Sequence, residues 1–125
     1  MLNEPFTIKQ VAETVGVSVH TLRYYEQLGL IHPIGRADNT HRRYSQDDIG
    51  WIQFLLKLRA TGMSLHDMQT YARLQRQGDE TLPERIEMLK TLEREVEGHI
   101  QELNGHLDLI RYKIAFYSER VAEPI

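Results

Sequence analysis

Val17-Ser18-Val19-His20-Thr21-Leu22-Arg23-Tyr24-Tyr25-Glu26-Gln27-Leu28-Gly29-Leu30-Ile31 is the stretch whose reading decides the fold. Ser18 is a good N-cap, because its hydroxyl accepts from the free amides of a first helical turn. Leu22, Tyr25 and Leu28 then share one face, which predicts a helix over residues 19–28 with that face turned inward. His20, Thr21, Arg23, Tyr24 and Gln27 are left facing outward or sideways, and Gly29 ends the helix. Upstream, Thr7 caps a shorter helix over residues 7–15, where Ile8, Val11, Ala12 and Val15 recur at helical spacing before Gly16-Val17 breaks it. A helix, a tight glycine turn and a second helix with a polar outer face form the pattern of a helix-turn-helix.

Downstream, residues 31–44 lose helical periodicity. Pro33, Gly35, Asp38 and Asn39 are turn formers, and the flanks Ile31–Ile34 and Arg42–Tyr44 are expected to pair as a small hairpin, a wing. Ser45 opens a third helix, with Asp48 three residues on to serve its first amides. Ile49, Ile52, Phe54, Leu55, Leu56 and Leu58 make that helix strongly apolar, and Gly62 stops it. Ser64 and Asp67 open a fourth helix running to about Arg76, with Leu65, Met68, Tyr71 and Ala72 inward. Gln77-Gly78-Asp79-Glu80 reads as a polar linker.

The last segment differs in kind. Leu82, Ile86, Leu89, Glu93, Val96, Ile100, Leu103, Leu107, Ile110, Ile114, Tyr117 and Val121 alternate steps of four and three, and all but Glu93 are apolar. A seven-residue repeat held that long predicts a coiled coil. A rod of 40 residues spans roughly 60 Å, and its apolar stripe is too long for a small head to cover. A second copy of the chain is the simplest partner, so a homodimer is expected; the repeat itself leaves the strand direction open. The expected organisation is a DNA-binding head over residues 1–76, a linker at 77–81, a dimerisation helix at 82–121 and a tail at 122–125.

Composition narrows the function. The chain has 125 residues, 41% hydrophobic and 26% charged, a net charge of −3 and a pI near 6.1. The absence of cysteine excludes disulfides, thiolate metal sites and thiol chemistry within these residues. No apolar run approaches the roughly 20 residues that cross a bilayer, and the first residues lack a signal-peptide pattern, so a cytoplasmic protein without membrane partners is expected. The acidic balance is unusual for a DNA binder, but positive potential is local: Arg23, Arg36, Arg42 and Arg43 fall within one stretch that holds only Glu26 and Asp38 as acids. No glycine-rich phosphate loop, metal-spaced cluster or nucleophile–base set is present, so no enzyme and no cofactor are expected.

The quoted stretch, with Pro33, Arg36, Arg42-Arg43-Tyr44, Asp48-Ile49 and Gly62-Met63-Ser64-Leu65, resembles the signature of the MerR family of bacterial transcriptional regulators. The resemblance covers the first 76 residues in order and spacing. It implies a mainly α fold: a winged helix-turn-helix head followed by a long antiparallel coiled-coil dimerisation helix. It also implies a homodimer on a pseudo-palindromic site in double-stranded promoter DNA, distorting the spacer so that RNA polymerase, an indirect partner, reads both promoter elements. His41 departs from the family pattern, which often has an aromatic residue there.

Individual roles follow from chemistry. Arg23 suits a two-pronged grip on phosphate, Tyr24 adds a hydroxyl beside it, and Arg42 and Arg43, with Arg36, hold phosphates from the wing. Ser18, His20 and Thr21 stand at the start of the second helix, where base edges in the major groove come within reach. Tyr25 reads as core, Glu26 as a residue that orients Arg23 or Arg43, and Asp48 as a cap.

An effector is less legible. Metal-sensing members of the family use cysteines this chain lacks, and drug-sensing members append a ligand domain for which four residues after Val121 leave no room. Trp51 through Ser64 resembles short members that respond to reactive aldehydes. Lys57, aligned where those often have cysteine, is a candidate for a carbonyl inducer, and Tyr71, with Met63, Met68 and Trp51, for a small apolar pocket; solvated lysine and packed core are the rival readings. His99 and His106, seven apart on one edge of the apolar stripe, suit a metal or a proton as well as plain polar cover. An architectural DNA protein, or an interaction module built on the coiled coil, remains the alternative.

Overall fold

The computed structural model describes residues 6–32, 35–37 and 41–122. The elements run α1 (Ile8–Val15), α2 (Val19–Gln27), β1 (Gly35–Ala37), β2 (His41–Arg43), α3 (Gln46–Ala60), α4 (Leu65–Gln77), a 3-10 turn (Asp79–Thr81) and α5 (Leu82–Ala122). The chain forms two compact units, Met1–Met88 and Leu89–Ile125. The first two turns of the long helix fall within the first unit. No described helix is long and apolar enough to cross a membrane.

Each of α1 to α4 starts on a side-chain cap. The Thr7 and Ser45 hydroxyls accept from the amides of Gln10 and Asp48, whose side chains accept in return from the cap amides. Ser18 and Ser64 cap α2 and α4. Such caps are worth about 1 kcal/mol each. Gly16, at φ 83°, ends α1 in the left-handed region, where its amide donates to the Ala12 carbonyl. That conformation turns the chain into α2 within two residues.

In the core of this unit Val11 from α1, Leu22 from α2, Ile52 and Leu55 from α3, and Met68 from α4 are all fully buried, as are Leu30 and Tyr44. Burying each is worth roughly 1.5–3 kcal/mol. The helices that meet in pairs are α1 with α2, α1 with α3, and α3 with α4.

Two sequence expectations shift. The hairpin pairs Gly35–Ala37 with His41–Arg43, antiparallel, with Arg36 opposite Arg42. Ile31 is instead buried coil, because Leu30 and Ile31 follow the left-handed Gly29 straight into the core. Tyr44 leaves the hairpin to bridge Phe6, each amide donating to the other's carbonyl at 2.7 and 2.9 Å. The turn residues Pro33, Asp38 and Asn39 lie outside the described residues, as does Ile34. The polar linker, in turn, is ordered: Thr81 is buried within the 3-10 turn, and its hydroxyl donates to the Leu74 carbonyl at 2.6 Å.

In the second unit, α5 continues as an unbroken helix. Ile100, Leu103, Ile110, Ile114, Tyr117 and Val121 of the heptad seam stand exposed in the single chain, Leu103 at 65% and Val121 at 87%. Beside the seam the Tyr112 and Phe116 rings stack at 6.3 Å, and Arg120 lies over Phe116.

Candidate nucleic-acid interface

Helix α2 carries the candidate reading surface. Its buried residues are Leu22 and Tyr25. His20, Arg23, Tyr24 and Gln27 are exposed, and at 100° per residue all four fall on one side of the helix. The structure thus gathers three of the expected contacts, His20, Arg23 and Tyr24, and adds Gln27, which the sequence left without a task. Ser18 and Thr21 are tied to each other: the Thr21 amide donates to the Ser18 hydroxyl at 3.0 Å, and the two hydroxyls share a further hydrogen bond at 3.0 Å. Ser18 therefore spends its oxygen on capping, while His20 stands free of the cap.

The far end of α2 is braced by contacts that sequence reasoning missed. Three consecutive carbonyls after the helix are each taken by a side chain from elsewhere in the head. Gln69 Nε2 donates to Leu28 O at 2.9 Å, Arg76 Nη1 to Gly29 O at 2.9 Å, and Trp51 Nε1 to Leu30 O at 2.8 Å. They lie just past the helix, whose own last carbonyls, of Tyr24, Tyr25 and Glu26, take the backbone amides of Leu28, Leu30 and Gly29. Pairing them fixes how α2 leaves the core and so which way its outer face points.

The wing is anchored to the same helix. The fully buried Tyr44 donates its hydroxyl to the Glu26 carboxylate. Glu26, which the sequence expects to orient Arg23 or Arg43, thus holds Tyr44, the residue that follows Arg43. Arg43 is half-buried at the end of β2. Arg36 and Arg42 face each other across the hairpin backbone, and their side chains lie outside the described features. Asp48 acts as the α3 cap, in the capping box already described.

Tyr25 is core. Burial pushes its hydroxyl above the ordinary tyrosine pKa; nearby Arg59 pulls the other way and Tyr24 adds to the rise.

The two effector candidates stand apart. Lys57 is exposed on a groove of about 550 Å³ between α1 and α3, lined also by Thr14, Val15, Val17, Gln53 and Phe54. Tyr71 is buried, its ring stacked on Trp51 at 6.1 Å and tilted against Phe54 at 5.8 Å. Met63 and Met68 are buried as well. Tyr71, Met63 and Met68 thus lie inside the head.

The profile described as MerR HTH family regulatory protein matches residues 6–75. The chain belongs to the MerR family. A second profile of this family, described as MerR, DNA binding, matches residues 49–111. An uncharacterized HTH-type transcriptional regulator of Haemophilus influenzae is 38% identical over 117 residues, 94% of this chain and 87% of that protein. The HTH-type transcriptional regulator AdhR of Bacillus subtilis is 42% identical over 82 residues; the match takes in 66% of this chain and 59% of AdhR. Among solved structures, HiNmlR, a MerR family regulator lacking the sensor domain and bound to promoter DNA, superposes with a TM-score of 0.84 at 37% identity, covering 94% of both chains. A MerR family protein of Listeria monocytogenes superposes with a TM-score of 0.86 at 36% identity, over 93% of this chain and 88% of that one. This MerR chain is accordingly a DNA-binding transcriptional regulator, built from a helix-turn-helix head and a coiled-coil helix.

Proposed function

We propose that this MerR regulator binds promoter DNA as an antiparallel homodimer, one head per half-site, and controls transcription by distorting the spacer between promoter elements. The observation that carries the reading is the exposed face of His20, Arg23, Tyr24 and Gln27 on a helix whose far end is held by Gln69, Arg76 and Trp51. A DNA-reading helix needs a rigid mount and a free polar face. Arg23 and Tyr24, with Arg43 at the wing, take phosphates; His20 and Thr21 reach base edges. Arg36 and Arg42 extend the phosphate grip along the hairpin. The DNA-bound relative HiNmlR supports the choice of promoter DNA.

The exposed seam of α5 supports a second copy as its cover, and the seam's chemistry supports the antiparallel direction. Glu93 is the one acid among the seam residues. In a parallel, in-register pair it would face its own copy in a largely apolar interface, an expensive arrangement. Antiparallel pairing with full overlap sets Glu93 beside the partner's Ile110, with Lys90 on its own helix and the partner's Arg111 on the same edge. The acid then has two cationic neighbours. RNA polymerase is an indirect partner, met on the distorted promoter. An inducer, where one acts, has Lys57 as the candidate contact on the α1–α3 groove.

The test is selection of bound duplexes from a random DNA pool, followed by sequencing. The proposal expects enrichment of two half-sites related by a dyad at a fixed spacing. A single unpaired half-site would remove the dimeric reading. No enrichment at all would favour an interaction module built on the coiled coil.

A further inference from the structure

Glu95, His99, Glu102 and His106 follow one another along α5 at steps of four, three and four, and all four are exposed. That spacing stacks them on one edge of the helix. In the heptad whose seam holds Ile100, Leu103, Leu107 and Ile110, each histidine immediately precedes an a-type residue and so lines the g margin of the seam, with the glutamates just outside. Within one chain the two imidazoles are about 10.5 Å apart along the axis, too far to share an ion. Among the described residues no group of three metal-binding side chains gathers within one chain.

A second copy changes the geometry, and this step rests on the antiparallel dimer proposed above. Overlap of the whole seam layers Ile100 against the partner's Leu103 and Glu93 against the partner's Ile110. Antiparallel pairing turns the two g margins toward each other. His99 then stands within about 3 Å, along the axis, of the partner's His106, and symmetry repeats the pair two turns away. Packed helix axes lie about 8–10 Å apart, a span two imidazoles can close on one ion at about 2.0–2.1 Å per bond. Glu102, three residues from His99 on the same edge, supplies a carboxylate to the same place.

We propose that the dimer binds two divalent transition-metal ions of the zinc class, each held by His99, Glu102 and the partner's His106, with water completing the coordination. Imidazole and carboxylate donors without thiolate suit Zn²⁺ or Ni²⁺ rather than the soft cations that cysteine sites take. Both chains contribute to each site, so the ion binds the dimer and not the single chain. At ten times its dissociation constant, zinc at two such sites tightens the dimer about a hundredfold.

The experiment is titration of the full chain with Zn²⁺ at neutral pH, with sedimentation of the same samples. The expected result is one ion per chain in a dimer, lost in His99→Ala and in His106→Ala while both variants still sediment as dimers. Mixing the two variants is the sharper arm. A heterodimer of His99→Ala with His106→Ala keeps one intact site, so uptake returns to about a quarter of the wild-type level after statistical exchange. A wild-type dimer that takes up no more zinc than the two single variants overturns the site, as does a mixture that recovers nothing. A chain that sediments as a monomer overturns the dimer reading, and the site with it.

Discussion

Arg85 lies 8% exposed at the start of α5, and each of its three guanidinium nitrogens donates to a neutral acceptor of the head. Its Nε donates to Thr81 Oγ1 at 3.0 Å, Nη1 to Gln75 Oε1 at 2.7 Å and Nη2 to Gly78 O at 2.9 Å. The acceptors sit at and just beyond the C-terminal end of α4, where a helix gathers partial negative charge. The buried cation thus ties α4, the 3-10 turn and the first turns of α5 into one joint. Arg85→Ala removes three charge-assisted hydrogen bonds, nominally about 1.5 kcal/mol or more each. Water reaches the vacated acceptors in part, so a net loss of about 3 kcal/mol is expected. Arg85→Lys keeps the charge without the fork and is expected to lose about half as much. With an m-value near 2 kcal/mol/M, the Ala variant moves the urea midpoint down by about 1.5 M. Protomer concentration must be held fixed, because dimerisation feeds into apparent stability. A cycle with Thr81→Val should return a coupling of about 1 kcal/mol or more. Ala and Lys variants both within about 0.5 kcal/mol of wild type, with no coupling to Thr81, would refute the joint.

Three further outcomes are expected. Tyr44→Phe takes the hydroxyl from the Glu26 carboxylate and should cost about 1–3 kcal/mol in urea unfolding, together with weaker DNA binding as the wing loosens from α2. Tyr25 has its pKa raised by burial, so its contribution to stability is complete below the ordinary tyrosine value of about 10 and is lost as pH rises through the higher folded value; between those two values unfolding midpoints should fall less steeply in Tyr25→Phe than in wild type. Arg43→Ala should weaken binding to all duplexes alike and lower the dimer's salt slope by about two units, one per head, whereas His20→Ala should reorder preference among operator variants; equal effects of both on every variant would remove His20 as a reader.

The caps at Thr7, Ser18, Ser45 and Ser64 were legible in the sequence because each is a contact over three residues. The heptad was legible because its period survives without any partner in view. The outward set on α2 followed from the inward one, Leu22 and Tyr25. The hairpin was placed only approximately: strands of three residues carry too little alternation to mark their own ends, and the buried Ile31 looks the same in coil as in strand. The braces on Leu28, Gly29 and Leu30 were invisible, since they join residues 21 to 47 positions apart through polar side chains that any surface helix could carry. Arg85 was hidden for the same reason. Its one local hint was the four-residue step from Thr81, and an arginine on a coiled-coil flank ordinarily reads as solvated.

Both the two-headed reading of DNA and the shared histidine site need two chains paired antiparallel along α5. The absence of cysteine makes a direct measurement clean: Glu119→Cys, on the outer face of the helix, carries a spin label, and the label-to-label distance in the dimer is read by pulsed dipolar spectroscopy. Antiparallel full overlap places residue 119 level with the partner's residue 84, so a distance of about 50 Å is expected. A distance under about 30 Å would mean parallel helices, and would contradict both the two-headed reading of DNA and the shared histidine site.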